Sequence, residues 1–263
     1  MEVHHHAHTS RKKWTHYFWE FIMLFLAVFC GFLAENQREH FVERHRSKEY
    51  AKSLLGDMRL DTGELRRGIH VTKFTMSCMD SLISISKKMT PAGTIPRSFY
   101  YYSKFISQSF RIDWSKATID QLIQSGNLRY FRNKELVALI NDYYSLQGLI
   151  AAQNQIEGAH RDKSMELRNN ILLNRYYSME DFNFSAFAIP ARQKDSLDFE
   201  MVALQEDAGR QMDKYLNYLI DRKWRSGIMI NNYYSTAHKI AIQIIEAINS
   251  SYHFEKKAGK NRN

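Results

Sequence analysis

The apolar and polar positions of this chain follow one dominant rhythm, and a single stretch breaks it. Phe21 to Ala34 reads FIMLFLAVFCGFLA, fourteen apolar residues in a row, and Tyr17, Phe18 and Trp19 lengthen the run with only Glu20 interrupting. A bilayer core is crossed by roughly 17–25 apolar residues in a helix, so Phe21, Leu24, Phe25, Val28, Gly31 and Leu33 are read as the body of a transmembrane helix over residues 14–35. A core helix of a globular domain would carry a polar stripe, and this run has none. A cleaved signal would need small residues in an A-x-A arrangement, and Phe32 stands where the first of them belongs. Trp14, Tyr17 and Trp19 flank the run at headgroup level, where amphipathic rings are favoured.

From Glu35 onward the helical period takes over. Glu35, Glu39 and Glu43 recur every four residues among Arg38 and Arg46, a spacing that brings opposite charges together one turn apart. An apolar stripe follows at Tyr50, Leu54, Met58, Leu65, Ile69, Cys78, Met79, Leu82 and Ile83, crossed by Gly56, Gly63 and Gly68. The pattern predicts a stalk that becomes the first bundle helix over 36–89, then a loop at Thr90–Pro96. Short elements fill 97–133: Thr118-x-x-Gln121 has the form of a capping box, and Gly126 closes that helix. Asn133 is placed as the N-cap of a helix running to about Tyr177, with Leu136, Ile140, Tyr143, Leu146 and Ile150 on one face. Residues 178–195, with Phe182, Phe184, Phe187 and Pro190, read as a loop. A last helix after Ser196 carries Phe199, Val202, Met212, Leu216, Leu219, Ile240, Ile244 and Ile248, with a kink expected at Ser226-Gly227. No stretch alternates with period two, so no strands are expected.

The predicted fold is therefore all-α: an N-terminal transmembrane helix continuing into a stalk and an elongated antiparallel helical bundle over residues 90–253. Residues 1–13 form a basic, His-containing disordered tail and 254–263 a basic one. Only three prolines and eleven glycines punctuate 263 residues, which fits long helices. The two cysteines, Cys30 and Cys78, offer no disulfide framework. The net charge of +9 is spread among 28 acids, except in the tail Lys256–Arg262, which suits anionic lipid better than nucleic acid. Arg11, Lys12 and Lys13 before the span nearly balance Arg38, Arg44, Arg46 and Lys48 after it. Long domains cross regardless of charge, which tips the reading towards a periplasmic bundle in a bacterial inner membrane.

Three blocks carry a resemblance. Glu20 and the apolar run are followed by Glu35-Asn36-Gln37-Arg38-Glu39; Glu49-Tyr50 leads to Ser53-Leu54, Asp57-Met58 and Asp61; and Gln124-Ser125-Gly126-Asn127-Leu128 leads to Asn133-Lys134-Glu135-Leu136, Ile140 and Tyr143-Tyr144. Together they resemble a family of uncharacterised bacterial single-pass membrane proteins with a short N-terminal tail, one span and a helical domain. The resemblance implies membrane anchorage and a helical fold, and no activity.

Candidate chemistry is thin. His4, His5, His6 and His8 could bind Zn, Cu or Ni through neutral imidazoles, although a disordered tail or a purification-tag remnant has the same look. Glu20 is the one ionisable group in the span; it either snorkels to the interface or serves as an oligomer contact or ion relay with Lys13 or His16 of a neighbouring protomer. Glu157-Gly-Ala-His160 matches one Glu-x-x-His of a di-iron bundle, which needs two. Asp57 and Asp61 share a helix face near His70 and could do acid–base work, but a solvated carboxylate pair on a charged helix looks the same. Tyr-Tyr-Ser occurs at 101–103, 143–145, 176–178 and 233–235; paired rings packing in the bundle with wet hydroxyls explain it, and a carbohydrate- or peptide-binding surface is the alternative. No Walker loop, nucleophile elbow, kinase or zincin motif is present. The expectation is a membrane-anchored interaction or scaffold protein with no cofactor and no catalytic site, contacting the lipid bilayer and a second copy or another membrane protein. The alternative is a sensor that binds a small ligand; with only 13–16 residues before the span it signals through a separate partner.

Overall fold

The computed structural model describes residues 14–107, 110–177 and 197–254. Helix α1 runs unbroken from Trp14 to Ser86, 73 residues. By its contacts the chain divides into two compact units, 1–50 and 51–263.

In the first unit every described residue is helical. The apolar window has a mean hydropathy of 2.0 and none of it is buried, so α1 contains a stretch long and apolar enough to cross a membrane. Leu24 is 69% exposed and Val28 68%, a continuous oily surface that only lipid or another protein relieves. Phe21, Phe25 and Phe29 stack along one side, their ring centroids 6.3 and 5.9 Å apart. Beyond the apolar stretch Arg38 grips Glu35 through two bonds of 2.6 and 2.9 Å, the expected charge contact within one turn.

The second unit is a helical bundle. Its members after α1 are α2 (Arg97–Phe105), α3 (Ala117–Gln124), α4 (Lys134–Asn169), α5 (Ala208–Ile228), a π-helix (Met229–Tyr234) and α6 (Ser235–Tyr252). The predicted stripe of α1 is real: Leu54, Met58, Leu65, Cys78, Met79 and Leu82 are fully buried. On α4, Leu136, Ile140, Tyr143 and Ile150 do the same, and that helix packs on α6 and α5. Asn133 caps α4 by accepting from the Leu136 amide at 3.1 Å. Helix α2 is short and almost wholly buried; its Tyr100 hydroxyl donates to the Ala203 carbonyl at 2.7 Å and accepts from the Leu173 amide at 3.0 Å.

Several local expectations differ. Two strands exist, β1 (Thr94–Pro96) and β2 (Met201–Ala203), antiparallel with Ile95 opposite Val202. Three residues each are too few to show an alternating pattern. The pairing forms because Arg97 ties Glu200 twice, amide to carbonyl at 2.7 Å and guanidinium to carboxylate at 2.7 Å. Helix α4 stops at Asn169 rather than near Tyr177, since Ile171 and Leu172 turn off the helix into the core. Helix α5 starts only after β2, and Phe199, in the short helical stretch 197–199 before that strand, is 87% exposed instead of facing the core. Thr118 sits inside α3 and caps nothing, whereas Gly126 takes the left-handed conformation, φ 67°, that lets α3 end. In place of a kink at Ser226-Gly227 the helix widens into the π-helix two residues later. The loop 178–195 and the tail residues 255–263 lie outside the described residues.

Candidate functional site

Two groups of polar side chains inside the second unit depend on each other. The first centres on Asp61. Helical spacing places it on the same face as Leu54, Met58 and Leu65, and its side chain is fully buried. A carboxylate so placed must collect hydrogen bonds. The Ser115 amide donates to Oδ1 at 2.8 Å, the Tyr143 hydroxyl to Oδ2 at 2.8 Å, and Gln147 Nε2 to Oδ2 at 3.4 Å. Burial pushes the Asp61 carboxyl above the ordinary carboxylate range, against the pull of the Ser115 and Tyr143 bonds and with a smaller push from Asp57. Burial and the neighbouring Asp61 also drive the Tyr143 phenol far upward. Asp61 is thus a structural acceptor shut away from solvent, not the exposed half of an acid–base pair; His70, on the exposed side, is not part of it.

What this network holds is the irregular segment before α3. Ser115 is pinned to α1, and the preceding Trp114 ring meets Tyr143 edge-on at 6.0 Å. One turn from Val71 the same segment closes on α1 at Gly68: a Cβ there would lie 3.0 Å from Phe110 Cδ1, so any larger residue requires the Phe110 ring to give way by a few tenths of an ångström. Arg67 rests over the Phe110 ring at 5.5 Å.

The second group lines a cleft of about 640 Å³ between that segment, α1, α4 and the π-helix. Such a volume falls within the range of small-molecule sites. Phe110, Trp114, Met229 and Tyr234 give it apolar and aromatic walls, and Asn154, Glu157 and Arg222 its polar ones. The π-helix contributes Met229 and Tyr234, both buried; such widened turns are frequent at functional sites because they re-aim side chains. The Tyr234 hydroxyl donates to Asn154 Oδ1 at 3.2 Å, and burial beside Glu157 pushes its phenol up to about 12. Arg222 is only 4% exposed. Its Nη1 donates to the Ile106 carbonyl and, at 3.0 Å, to Ser164 Oγ. Its other nitrogens make no hydrogen bond or ion pair among the described residues. Burial lowers its pKa, which the Glu157 carboxylate partly opposes. Glu157 is half-buried, its carboxyl raised by burial against the pull of His160, Arg222 and Arg225. Nearby Arg161 and Asp162 satisfy each other at 2.8 Å.

The residues singled out from the sequence fall outside this cleft, Glu157 and Tyr234 excepted. Phe21, Leu24, Phe25, Val28 and Leu33 are exposed, and Gly31 has open space around it. Trp14, Tyr17 and Trp19 are exposed as well, with Trp14 stacked on Phe18 at 6.0 Å. Glu20 meets His16 of its own helix, at 3.1 Å. His4, His5, His6 and His8 lie outside the described residues. His160 turns from Glu157 to the Tyr218 hydroxyl at 2.7 Å, and no cluster of three or more His, Cys, Asp or Glu exists among the described residues. Of the Tyr-Tyr-Ser pairs, Tyr101, Tyr102, Tyr143 and Tyr234 are buried while Tyr144 is exposed. Arg222 was overlooked although its place on the stripe Met212, Tyr215, Leu219, Arg222, Ser226 was visible: a cation on an apolar face needs a reason. Compared with protein-family models, curated proteins and solved structures, the chain matches none.

Proposed function

We propose that this protein is a membrane-anchored sensor: residues 14–35 hold it in a bacterial inner membrane, and the periplasmic bundle binds a small ligand and reports it to a partner membrane protein. The cleft of about 640 Å³ with the incompletely bonded Arg222 in its wall carries this reading. The unbonded nitrogens of Arg222 are not among the buried atoms left without a partner, so they open onto solvent, where a ligand's acceptor would take the place of water. The walls come from four separate parts of the chain, α1, the segment 110–114, α4 and the run from Arg222 to Tyr234, so occupancy would change how the π-helix packs against α4 and α1.

The test is thermal melting of the detergent-solubilised full chain against a panel of small metabolites, in parallel with Gly158→Leu. Gly158 lines the cleft and has nothing within 4 Å of its would-be Cβ, so the leucine fills the cleft without disturbing the bundle. A compound that stabilises the native chain but not the variant supports the reading; a panel in which every shift is equal in both sinks it. A second reading, an interaction scaffold, draws on a different feature: Trp224 and Ile220, 65% and 52% exposed, flank a shallow apolar groove with Met76 and Gly227. Crosslinking from Trp224 in native membranes would distinguish it.

A further inference from the structure

The cleft contains two charged side chains of opposite sign that do not pair with each other. Arg222 is buried and has Nε and Nη2 unbonded; Glu157 is half-buried and makes no hydrogen bond or ion pair among the described residues. Each nonetheless feels the other's field. Two complementary groups that are near but not in contact leave room for something between them. The remaining cations of the lining do not share this property: Arg161 is neutralised by Asp162, and Arg111 is exposed to water. Phe110, Trp114 and Tyr234 line the same cleft.

We propose that the ligand of this cleft is a small zwitterion with an apolar body, of the α-amino-acid type, its carboxylate held by the guanidinium fork of Arg222 and its ammonium by Glu157. The proposal rests on the ligand-binding reading above and specifies its charge class. The planar fork of an arginine suits a carboxylate, a primary ammonium offers three donors to a carboxylate, and the aromatic walls suit a planar side chain. Neither charge alone explains the site. A purely anionic ligand would leave Glu157 facing a like charge, and a purely cationic one would do the same to Arg222.

Three probes of nearly equal shape separate the cases: L-tryptophan, a zwitterion; indole-3-propionate, an anion; and tryptamine, a cation. Binding to the full chain in detergent is followed by titration calorimetry. Tryptophan is expected to bind about tenfold or more tighter than either analogue. Glu157→Gln removes a group with no hydrogen bond, so the fold is retained; it should erase the advantage of tryptophan over indole-3-propionate. Arg222→Lys keeps the positive charge and should weaken tryptophan while keeping its lead over tryptamine. Indole-3-propionate matching tryptophan in the native chain, or an unchanged ratio in Glu157→Gln, overturns the proposal. If all three probes bind equally and Gly158→Leu abolishes them, the zwitterion is wrong and the ligand site stands. If none binds, the zwitterion is again wrong, and the metabolite panel with Gly158→Leu then decides the site itself.

Discussion

Removing the Asp61 carboxylate is the most direct probe of how the interior is held. In Asp61→Ala the Ser115 amide and the Tyr143 hydroxyl, each 2.8 Å from the carboxylate, lose their acceptor inside the bundle. A buried donor left without a partner costs about 1–3 kcal/mol, so the pair costs about 4 kcal/mol in all. For a domain of this size each kcal/mol moves the midpoint by about 2–4 °C, and the melting temperature should fall by about 8–16 °C. Tyr143→Phe leaves Oδ2 with only Gln147 at 3.4 Å and should cost about 1.5–3 kcal/mol, the worth of a bond to a charged group. In the double variant the phenyl ring needs no acceptor, so its cost should fall short of the sum by more than the roughly 0.5 kcal/mol expected of independent sites. The pH dependence has a definite sign. Because burial raises the Asp61 carboxyl in the folded state, the native state binds its proton more tightly than the unfolded chain. Relative to Asp61→Asn, the native chain should therefore gain stability as pH falls from the raised value to the ordinary carboxylate range, about 4, and gain no more below it. Thermal melts of the five proteins from pH 4 to 8 in one detergent provide the data. Strictly additive costs, or a native-minus-Asn difference that stays flat with pH, would refute the assignment of Asp61 as a buried acceptor shared by three elements.

Other consequences are simpler to check. Gly68→Ala gains about 1 kcal/mol of helix propensity but drives a methyl against Phe110 at 3.0 Å, whereas Gly56→Ala meets nothing within 4 Å. Melting should show Gly56→Ala stabilised by up to about 1 kcal/mol and Gly68→Ala destabilised, with weaker ligand binding in the latter alone. Cys78 is buried and burial pushes its thiol up to about 12; iodoacetamide at pH 8 should leave it unmodified until denaturant is added, as read by mass spectrometry. Val28→Arg places a charge in the middle of the apolar run, at a cost of about 3 kcal/mol to insertion. The fraction of chain resisting an alkaline wash of membranes should drop; full retention would speak against the span.

How much of this was readable from residues alone depends on the reach of each interaction. The α1 stripe and the face of α4 from Leu136 to Ile150 were legible because burial there repeats with the helix itself, and the apolar stretch of α1 was legible as an unbroken run. Asn133 was legible as a cap, since its partner lies three residues on. Thr118 misled because the same short pattern is satisfied inside a helix when the side chain is buried. The strands escaped notice because Ile95 and Val202 meet only after more than a hundred residues of intervening chain. The cleft was illegible for the same reason. Its walls come from Val71, Phe110, Trp114, Glu157 and Arg222, and periodicity within one segment is silent about pairings between segments. Yet the positions where elements meet left a local trace: a glycine inside a helix stripe, an arginine on an apolar face, an aspartate between leucines. Residues that break the pattern of the element they sit in proved to be those that join one element to another. Asp61 shows the link most clearly. It was noticed as a charged position on a helix and weighed as a solvated one, but the spacing that aligns it with Leu54, Met58 and Leu65 already required a donor from elsewhere. That donor, the amide of Ser115, is what brings Trp114 to the wall of the cleft, so a rule broken at one position of α1 shapes a binding surface built mainly by other elements.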